Sequence, residues 1–435
     1  MKRLLILLLV LITVTGAFAQ KLELKDAINI ALKNSLDIEL ARNYVEQRDI
    51  LNSYGMAGGL PVVAANASDN EQITNINQKY DAGGDSARVV TTKGANSNTL
   101  NAGITGSFLL FNGMRVVSTK KRLDQLEQQS AQYVNSQVQN IIASVMTNYF
   151  DVVRQQYYVR VIDQSIDLAK QTLDIVKAQQ SVGLANNANL FQAQLDLNNL
   201  VQAKEIQQLV IQQAKTEMLR LLTLKTDSTI TIQDTIIVDQ SIMLDAILSN
   251  LTNNADIIAA DQQVRINELI VRETAAQRYP SVSVNGGYNY ARNQNAAGQV
   301  LLNQRSGPVI GLGLSIPIYN GSIYRRQQKA AEIDVKNAEL QKGVLVRDYT
   351  AGAVKSYQAY SSTIVQLETA RQNFKLSQDL MSLVLQRFQL RQATILEVSQ
   401  AQDSFERSAY VLINLAFSAK SSEIELKRVS NQLAF

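Results

Sequence analysis

Histidine and cysteine, which carry much of the side-chain chemistry of proteins, occur nowhere in the 435 residues. Without a thiol there is no thiolate nucleophile, no soft metal ligand and no disulfide. Without an imidazole no side chain changes charge near neutral pH unaided. The carboxylates do not compensate, because no acidic cluster stands at metal-ligand spacing. Gly83-Gly84 and Gly286-Gly287 read as loop and strand glycines, not as a phosphate cradle. The chain is therefore not expected to be an enzyme, and no metal or other cofactor is expected. Function has to lie in shape and surface.

The chain opens with Lys2 and Arg3, an apolar run from Leu4 to Val14, and small residues ending Ala17-Phe18-Ala19. That order predicts a secretory signal peptide over Met1–Ala19, cleaved before Gln20. No cysteine follows, so a lipoprotein anchor is not expected. The formal charge of +4 becomes +2 (4 − 2) when Lys2 and Arg3 leave, too little to mark a nucleic-acid partner. No further run of 18 apolar residues could form a membrane-spanning helix.

Met114 to Val182 contains neither glycine nor proline. Its apolar residues recur in steps of three and four, through Val134, Val138, Ile141, Val145, Tyr149 and Val152 and on through Ile162, Ile166, Ala169, Leu173 and Val176. This predicts one helix over 114–182, roughly 100 Å long at 1.5 Å per residue. Ser322 to Leu390 is a second rod with only Gly343 and Gly352 inside it. The two belong to a repeat: Leu32, Asn34, Asp37, Ile38, Ala41, Pro61 and Val63 recur 219 residues later as Leu251, Asn253, Asp256, Ile257, Ala260, Pro280 and Val282. Further on the offset is 208, pairing Phe111-Asn112-Gly113 with Tyr319-Asn320-Gly321 and Gln192-Ala193-Gln194 with Gln400-Ala401-Gln402.

Glycine and proline are segregated away from the rods. Nine of the 20 glycines lie in 55–113 and seven in 286–321, and Pro61, Pro280, Pro308 and Pro317 lie in or beside those windows. There the period is two. Val282, Val284, Gly286, Tyr288 and Tyr290 share a face, as do Ile310, Leu312, Leu314, Ile316 and Ile318, and as do Ala102, Ile104, Gly106, Phe108 and Leu110. Strands of about ten residues with one apolar face have the length and pattern of a tilted membrane strand. Asn66 to Asn98 reads as a long polar connecting loop. Four strands cannot close a barrel and an open edge cannot face lipid, so several chains must share one barrel; the count alone allows two or three.

The remaining segments complete two units. After residues 1–19, repeat one covers 20–222: a short helix Leu22–Leu32, a helix from Asn34 and Ser35 to about Tyr54, a hairpin over 60–112, the rod 114–182 and a return helix 188–222. An intervening segment, 223–253, contains the β-like runs Ile230-Thr231-Ile232 and Ile236-Ile237-Val238. Repeat two covers 254–435, with a helix, a hairpin over 280–320, the rod 322–390 and a return helix 395–428.

In this order, and twice over, the pieces resemble the outer-membrane efflux protein family, the TolC-like channel-tunnels. The resemblance rests on Leu24-Lys25-Asp26-Ala27 with Ala31-Leu32-Lys33-Asn34, on Leu314-Ser315-Ile316-Pro317-Ile318-Tyr319-Asn320-Gly321, and on Val182-Gly183-Leu184 followed by Leu190-Phe191-Gln192-Ala193-Gln194. It covers essentially the mature chain. It implies a mainly helical fold with membrane β: long antiparallel hairpins forming a trimeric α-barrel, and four strands per chain in a shared 12-stranded barrel. The implied place is the bacterial outer membrane, with a long periplasmic extension and an equatorial belt at 223–253. The implied function is the passive duct of a tripartite export system. Its partners would be two further copies, a periplasmic adaptor, an inner-membrane pump and outer-membrane lipid, with no nucleic acid. A structural envelope protein or trimeric helical adhesin is the alternative, but it needs neither apolar strand faces nor matched tips.

The same resemblance assigns sites. The turns Val182-Gly183-Leu184 and Leu390-Arg391-Gln392 would be adaptor-docking tips; a left-handed helix cap alone would also explain Gly183, and both can hold. Arg391 and Ala393 depart from the family, where a glycine and a constriction-forming arginine often stand. Glu397 matches an acidic ring, with Gln400 where a second acid can occur, and Phe388 could line the same narrow point or pack between the rods. Three copies of Glu397 about one axis would attract cations, and the bland reading is a solvated helix-face glutamate.

Overall fold

The computed structural model describes residues 20–80, 88–297 and 300–433. The expected signal peptide and the Gly83-Gly84 pair lie outside the described residues. The elements run β1 (Gln20–Lys21), α1 (Leu24–Asn34), α2 (Leu36–Leu51), β2 (Val62–Tyr80), β3 (Arg88–Asn112), α3 (Arg115–Ser181), α4 (Asn187–Leu221), β4 (Ile230–Thr231) and α5 (Leu244–Asn250). Then follow α6 (Ala255–Ala276), β5 (Ser281–Asn295), β6 (Leu302–Ser315), α7 (Ile323–Gln389) and α8 (Ile395–Val429). Each rod is one unbroken helix of 67 residues, and α7 continues straight through Gly343 and Gly352. Among the described residues no helix is long and apolar enough to cross a membrane.

Contacts divide the chain into two units. One comprises Tyr44–Ala131 and Ala259–Lys342. Its centre is an antiparallel sheet in the order β2-β3-β5-β6, with β2 and β6 at open edges. The register aligns the residues of like character. Ala65, Ile104, Tyr288 and Pro308 form one row, Val63, Gly106, Gly286 and Ile310 the next, and Phe108, Val284 and Leu312 another. One face is thus apolar across all four strands, and it is bare: Ile310 is 84% exposed and Leu312 78%. The rows between are mostly polar or small, as in Asn66–Gly103–Asn289–Gly307, with Val62, Leu109 and Val309 as apolar exceptions. On that side a Cβ at Gly287 would meet the Ile104 carbonyl at 2.4 Å, and one at Gly103 the Asn289 Oδ1 at 2.6 Å. Backbones packed this closely mark the inner side of a strongly coiled sheet.

The sheet differs from the sequence reading in three places. Asn66–Tyr80 and Arg88–Asn98 are strand, not loop: β2 and β3 pair along them with a register shift at Thr74/Ile76, where the Gly94 amide donates to Asn75 Oδ1 (2.9 Å). Polar side chains concealed this strand, because a ladder that satisfies its own backbone groups needs no apolar face. Ile316 and Ile318 do not continue β6, whose last pair is Ser281–Ser315. Pro280 and Pro317 flank that pair and supply no N–H to extend the ladder. Leu110 falls at a second register shift, between Leu109 and Phe111, and so leaves the alternation.

The other unit comprises the chain up to Asn43, Gln132–Ile258 and Gly343 onwards. Its core packs Ala27, Ile28 and Ala31 of α1 on Val145, Tyr149 and Val152 of α3 and on Met218 and Leu219 of α4. The periodic residues of α3 are thus the buried ones. Helix α1 begins at Leu24 rather than Leu22, because Leu22 extends the β1–β4 pairing by donating its amide to the Thr231 carbonyl (2.9 Å). Asn34 ends α1, while Ser35 caps α2 by accepting from the Ile38 amide (3.3 Å). Residues 236–238 form no strand.

The repeat is written into the backbone more firmly than into the residues. Positive φ occurs at Gly113 and Gly321, at Met114 and Ser322, at Gly183 and Arg391, and at Thr223 and Asn431, four pairs each 208 apart. Four helices end in the same motif. Leu184 donates to Gln179 O and Gly183 to Gln180 O; Gln392 donates to Arg387 O and Arg391 to Phe388 O; the ends at Thr223 and Asn431 repeat the pattern.

Candidate functional site

Both predicted tips are helix-to-helix turns built from a left-handed C-cap followed at once by an N-cap. At the first, Gly183 has φ 74° and open space where a Cβ would stand, and Asn186 caps α4 by accepting from the Asn189 amide (2.9 Å). Val182 and Leu184 are both exposed. At the second, Arg391 takes the left-handed position at φ 63°. A non-glycine residue there costs about 1–2 kcal/mol. The turn is tied by Arg387, whose guanidinium donates to the Gln392 carbonyl (2.6 Å). Leu390 is exposed beside it. Each turn therefore presents bare apolar residues, Val182 and Leu184 or Leu390, on a backbone held by its own hydrogen bonds.

Glu397 follows this turn as part of a capping box. Its Oε2 accepts from the Thr394 amide (2.6 Å) and hydroxyl (3.0 Å), while its own amide donates to Thr394 Oγ1 (3.3 Å). The Thr394 amide, then its hydroxyl, then the Arg387 charge hold the Glu397 carboxyl below the usual range, so it is an anion at neutral pH. The cap does not use up that charge, which stays solvated at a fixed place. Gln400, one turn on, lines a 720 Å³ groove between α7 and α8 with Asp403, Arg407, Gln366 and Asn373.

Of the two readings of Phe388, lining the narrow point or packing between the rods, its position in the protomer favours packing. Phe388 is 5% exposed and packs on Met381, Val384, Val398, Ala401 and Phe405 inside the protomer. A ring spent on the core between α7 and α8 cannot also line a passage.

Sequence reasoning missed a polar site in the 223–253 segment. Glu423, only 2% exposed, receives Lys420 (2.9 Å), Lys427 (2.9 Å) and the Asp239 amide (2.9 Å). Lys427 also pairs with Asp239 (3.0 Å), and the Tyr360 hydroxyl donates to the Asp239 carbonyl. The Ser241 hydroxyl and amide, and then Lys427, hold the Asp239 carboxyl far below its ordinary range. Only Lys420, Glu423 and Lys427, at helical spacing, hinted at it; Asp239 is 184 residues from Glu423 and no local pattern links them. Among the described residues no group of three or more His, Cys, Asp or Glu side chains could hold a metal ion.

Comparison with known proteins decides the family. The outer membrane efflux protein family model matches residues 27–223 and 247–432. The chain belongs to that family. It is similar to the outer membrane protein TolC of Vibrio cholerae serotype O1, with 25% identity over 279 residues, 62% of this chain and 61% of TolC. The match thus spans about three-fifths of that curated relative's length. Among solved structures, the fold resembles CusC, described in terms of transmembrane channel formation, with a TM-score of 0.78 at 16% identity over 95% of this chain and 93% of that one. It equally resembles the outer membrane protein VceC of Vibrio cholerae, with a TM-score of 0.76 at 17% identity over 94% of this chain and 96% of that one. Family membership makes this an outer-membrane protein of a transport family. The architecture read from the sequence, mainly helical with one four-stranded antiparallel sheet, is the one observed.

Proposed function

We propose that the chain is the outer-membrane channel component of a tripartite export system, a passive duct of three copies whose sheets close one 12-stranded barrel. The observation that carries this is the sheet. Its apolar face is bare across four strands, its opposite face is polar and glycine-rich, and both edge strands end without partners among the described residues. Lipid on one side, water on the other and a further copy at each edge satisfy all three features together. An adhesin or structural rod would leave the apolar face unexplained.

In this reading the exposed turns Val182-Gly183-Leu184 and Leu390-Arg391-Gln392 receive a periplasmic adaptor. Through it an inner-membrane pump supplies the energy. Copies of Glu397, with Gln400 a turn behind, form a cation-attracting narrowing near these turns. The carboxylate is suited to that role because the capping box fixes it in space while leaving it ionised.

The test is single-particle imaging of protein extracted from outer membranes, together with conductance in planar bilayers. A three-fold hollow particle that conducts ions supports the duct. A monomer, or a solid rod that never conducts, overturns it.

A further inference from the structure

The two halves of the sheet-bearing unit are repeats of one another, yet their neighbours are unequal. Helix α6 lies between both rods. It meets α3 through Arg122 and Glu273 (2.7 Å) and through Gln129 and Gln263 (3.0 Å). It meets α7 through Lys342 and Asp261 (2.7 Å) and through Asn267 and the Asp334 carbonyl (3.1 Å). Its counterpart in the first repeat, α2, leans on α3, where Asn52 at its end donates to Asp124 (2.9 Å) and Glu127 (2.5 Å). The sheet is unequal in the same way, because β3 and β5 pair on both sides while β2 and β6 pair on one.

The repeat offsets show which surfaces are left over. On α6, Ile266 and Leu269 are buried, and their counterparts 219 residues earlier, Gln47 and Ile50 of α2, are exposed, Leu269 at 8% against Ile50 at 69%. On α3, Arg122, Gln125 and Gln129 are half-covered beside α6, and their counterparts 208 residues later, Ala330, Ile333 and Asn337 of α7, are exposed. The characters of the two bare faces match. Gln125 and Leu269 line one groove between α3 and α6, and at the corresponding places stand two exposed isoleucines, Ile333 and Ile50. Where α3 carries Arg122 toward an acid, α7 carries the uncharged Ala330. Two faces that met only water would need no such match.

The strands supply a register. Val63 pairs with Gly106, and their counterparts Val282 and Leu314 pair with each other, so the two hairpins are equivalent. The junction between them pairs Gly106 with Gly286 and Ile104 with Tyr288. The same offsets carry that junction to Leu314 with Ala67 and to Leu312 with Asp69, between β6 and β2. They carry Phe108–Val284 to Ile316 with Ala65, and Phe111–Val282 to Tyr319 with Val63. Ile316 and Tyr319 lie past the end of β6 and are exposed, as is Ile318. The equivalent end of β3 stays in strand to Asn112 because β5 is beside it. Pro317 is the counterpart of Leu109, at the register shift, where a residue without an N–H is tolerated.

Resting on the three-copy reading above, we propose that the junction between copies repeats, in trans, the junction between the two halves of one chain. β6 of one copy, lengthened through 316–319, pairs antiparallel with β2 of the next, Leu314 opposite Ala67 and Tyr319 opposite Val63. On the helical side α2 of that next copy packs on α7, with Ile50 against Ile333. The contact is head-to-tail, each copy offering β6 and α7 to one neighbour and β2 and α2 to the other, so a closed ring leaves neither an open strand edge nor a bare rod face. The segment 316–319 becomes strand only when a second copy supplies its partner.

The chain has no cysteine, so pairs introduced into the full mature protein report alone. After oxidation in outer membranes, Ala67→Cys/Leu314→Cys should run as covalent oligomers of up to three copies on non-reducing gels, because directly opposed strand residues lie within disulfide reach. Ala67→Cys/Ile310→Cys, displaced by four residues or about 13 Å along the strand, should stay unlinked. A charge exchange tests the helices independently. Ile50→Glu and Ile333→Lys should each lower the temperature at which the trimer dissociates in detergent, and the double variant should recover part of that loss. Linking of the displaced pair in place of the aligned one, or a double variant no more stable than the weaker single one, overturns the proposal. Failure of the three-copy reading looks different: the wild-type protein, fixed with an amine-reactive cross-linker, would then run as a monomer.

Discussion

Gly113 and Gly321 occupy the same place in the two halves with the same φ of 68°, yet their surroundings differ. A Cβ on Gly113 would lie 2.6 Å from Tyr279 Cβ and 2.8 Å from the Ala276 carbonyl, whereas one on Gly321 meets nothing within 4 Å. Alanine at either site costs about 1–2 kcal/mol for the left-handed backbone. About 0.4–1 kcal/mol is returned because alanine loses less freedom on folding. Gly321→Ala should therefore cost only about 1 kcal/mol, the backbone strain alone. Gly113→Ala adds the cost of forcing apart a backbone carbonyl and the root of a side chain, about 1–3 kcal/mol. Purified variants in detergent, heated at one scan rate, should differ in midpoint, with Gly113→Ala the lower by more than about 2 °C. Coincident midpoints, or a lower one for Gly321→Ala, would refute the argument that the close approach, rather than the backbone angle, makes glycine necessary at 113.

Three other perturbations follow from named contacts. Glutamine at the third helical position still completes a capping box, so Glu397→Gln should leave stability unchanged while reducing cation selectivity in bilayers; Glu397→Ala should lose both, the cap costing about 1 kcal/mol. Arg391→Gly relieves the left-handed strain and should raise the thermal midpoint, with limited proteolysis reporting a quieter turn. Glu423→Gln leaves Lys420 without its carboxylate and Lys427 with Asp239 alone, at a cost of about 1–3 kcal/mol, and should expose the 232–243 segment to hydrogen exchange. That segment should also loosen in acid. The folded Asp239 carboxyl is held below its ordinary value of 3.8, so its contribution is complete above that pH and fades as pH falls through the folded value. Asp239→Asn should flatten the acid limb, and an unchanged limb would show that Asp239 does not control it.

What the sequence made legible depended on how local its signal was. The rods and the apolar face of each strand were readable because each is a short-period pattern, and Val145, Tyr149 and Val152 are buried as that period requires. The outer half of the first hairpin was not readable, since most of its side chains are polar and its few apolar ones, Ile73, Ile76, Val89 and Val90, follow no sustained alternation. Phe388 was left between two readings because an aromatic near a turn has the same sequence signature whether it packs or lines a passage, and it packs. The Asp239–Glu423 contact spans 184 residues and leaves no pattern along the chain. Arg391 hides its left-handed backbone behind a side chain that rarely adopts it, and only the repeat offset from Gly183 gave a clue.

Beyond Asn96 the first hairpin pairs only with itself, because the last rung between β3 and β5 is Ser97–Asn295. Residues 88–96 at about 3.3 Å each carry it some 30 Å past the rest of the sheet, away from the helical end. On a protein seated in the outer membrane with its helices inside the envelope, that direction is the outside of the cell. Lys79, Arg88 and Lys93 stand on this projection, within reach of reagents, proteases and antibodies that never cross the membrane. It is the part of the molecule that an intact cell shows to its surroundings, and the means by which orientation can be read without breaking the cell open.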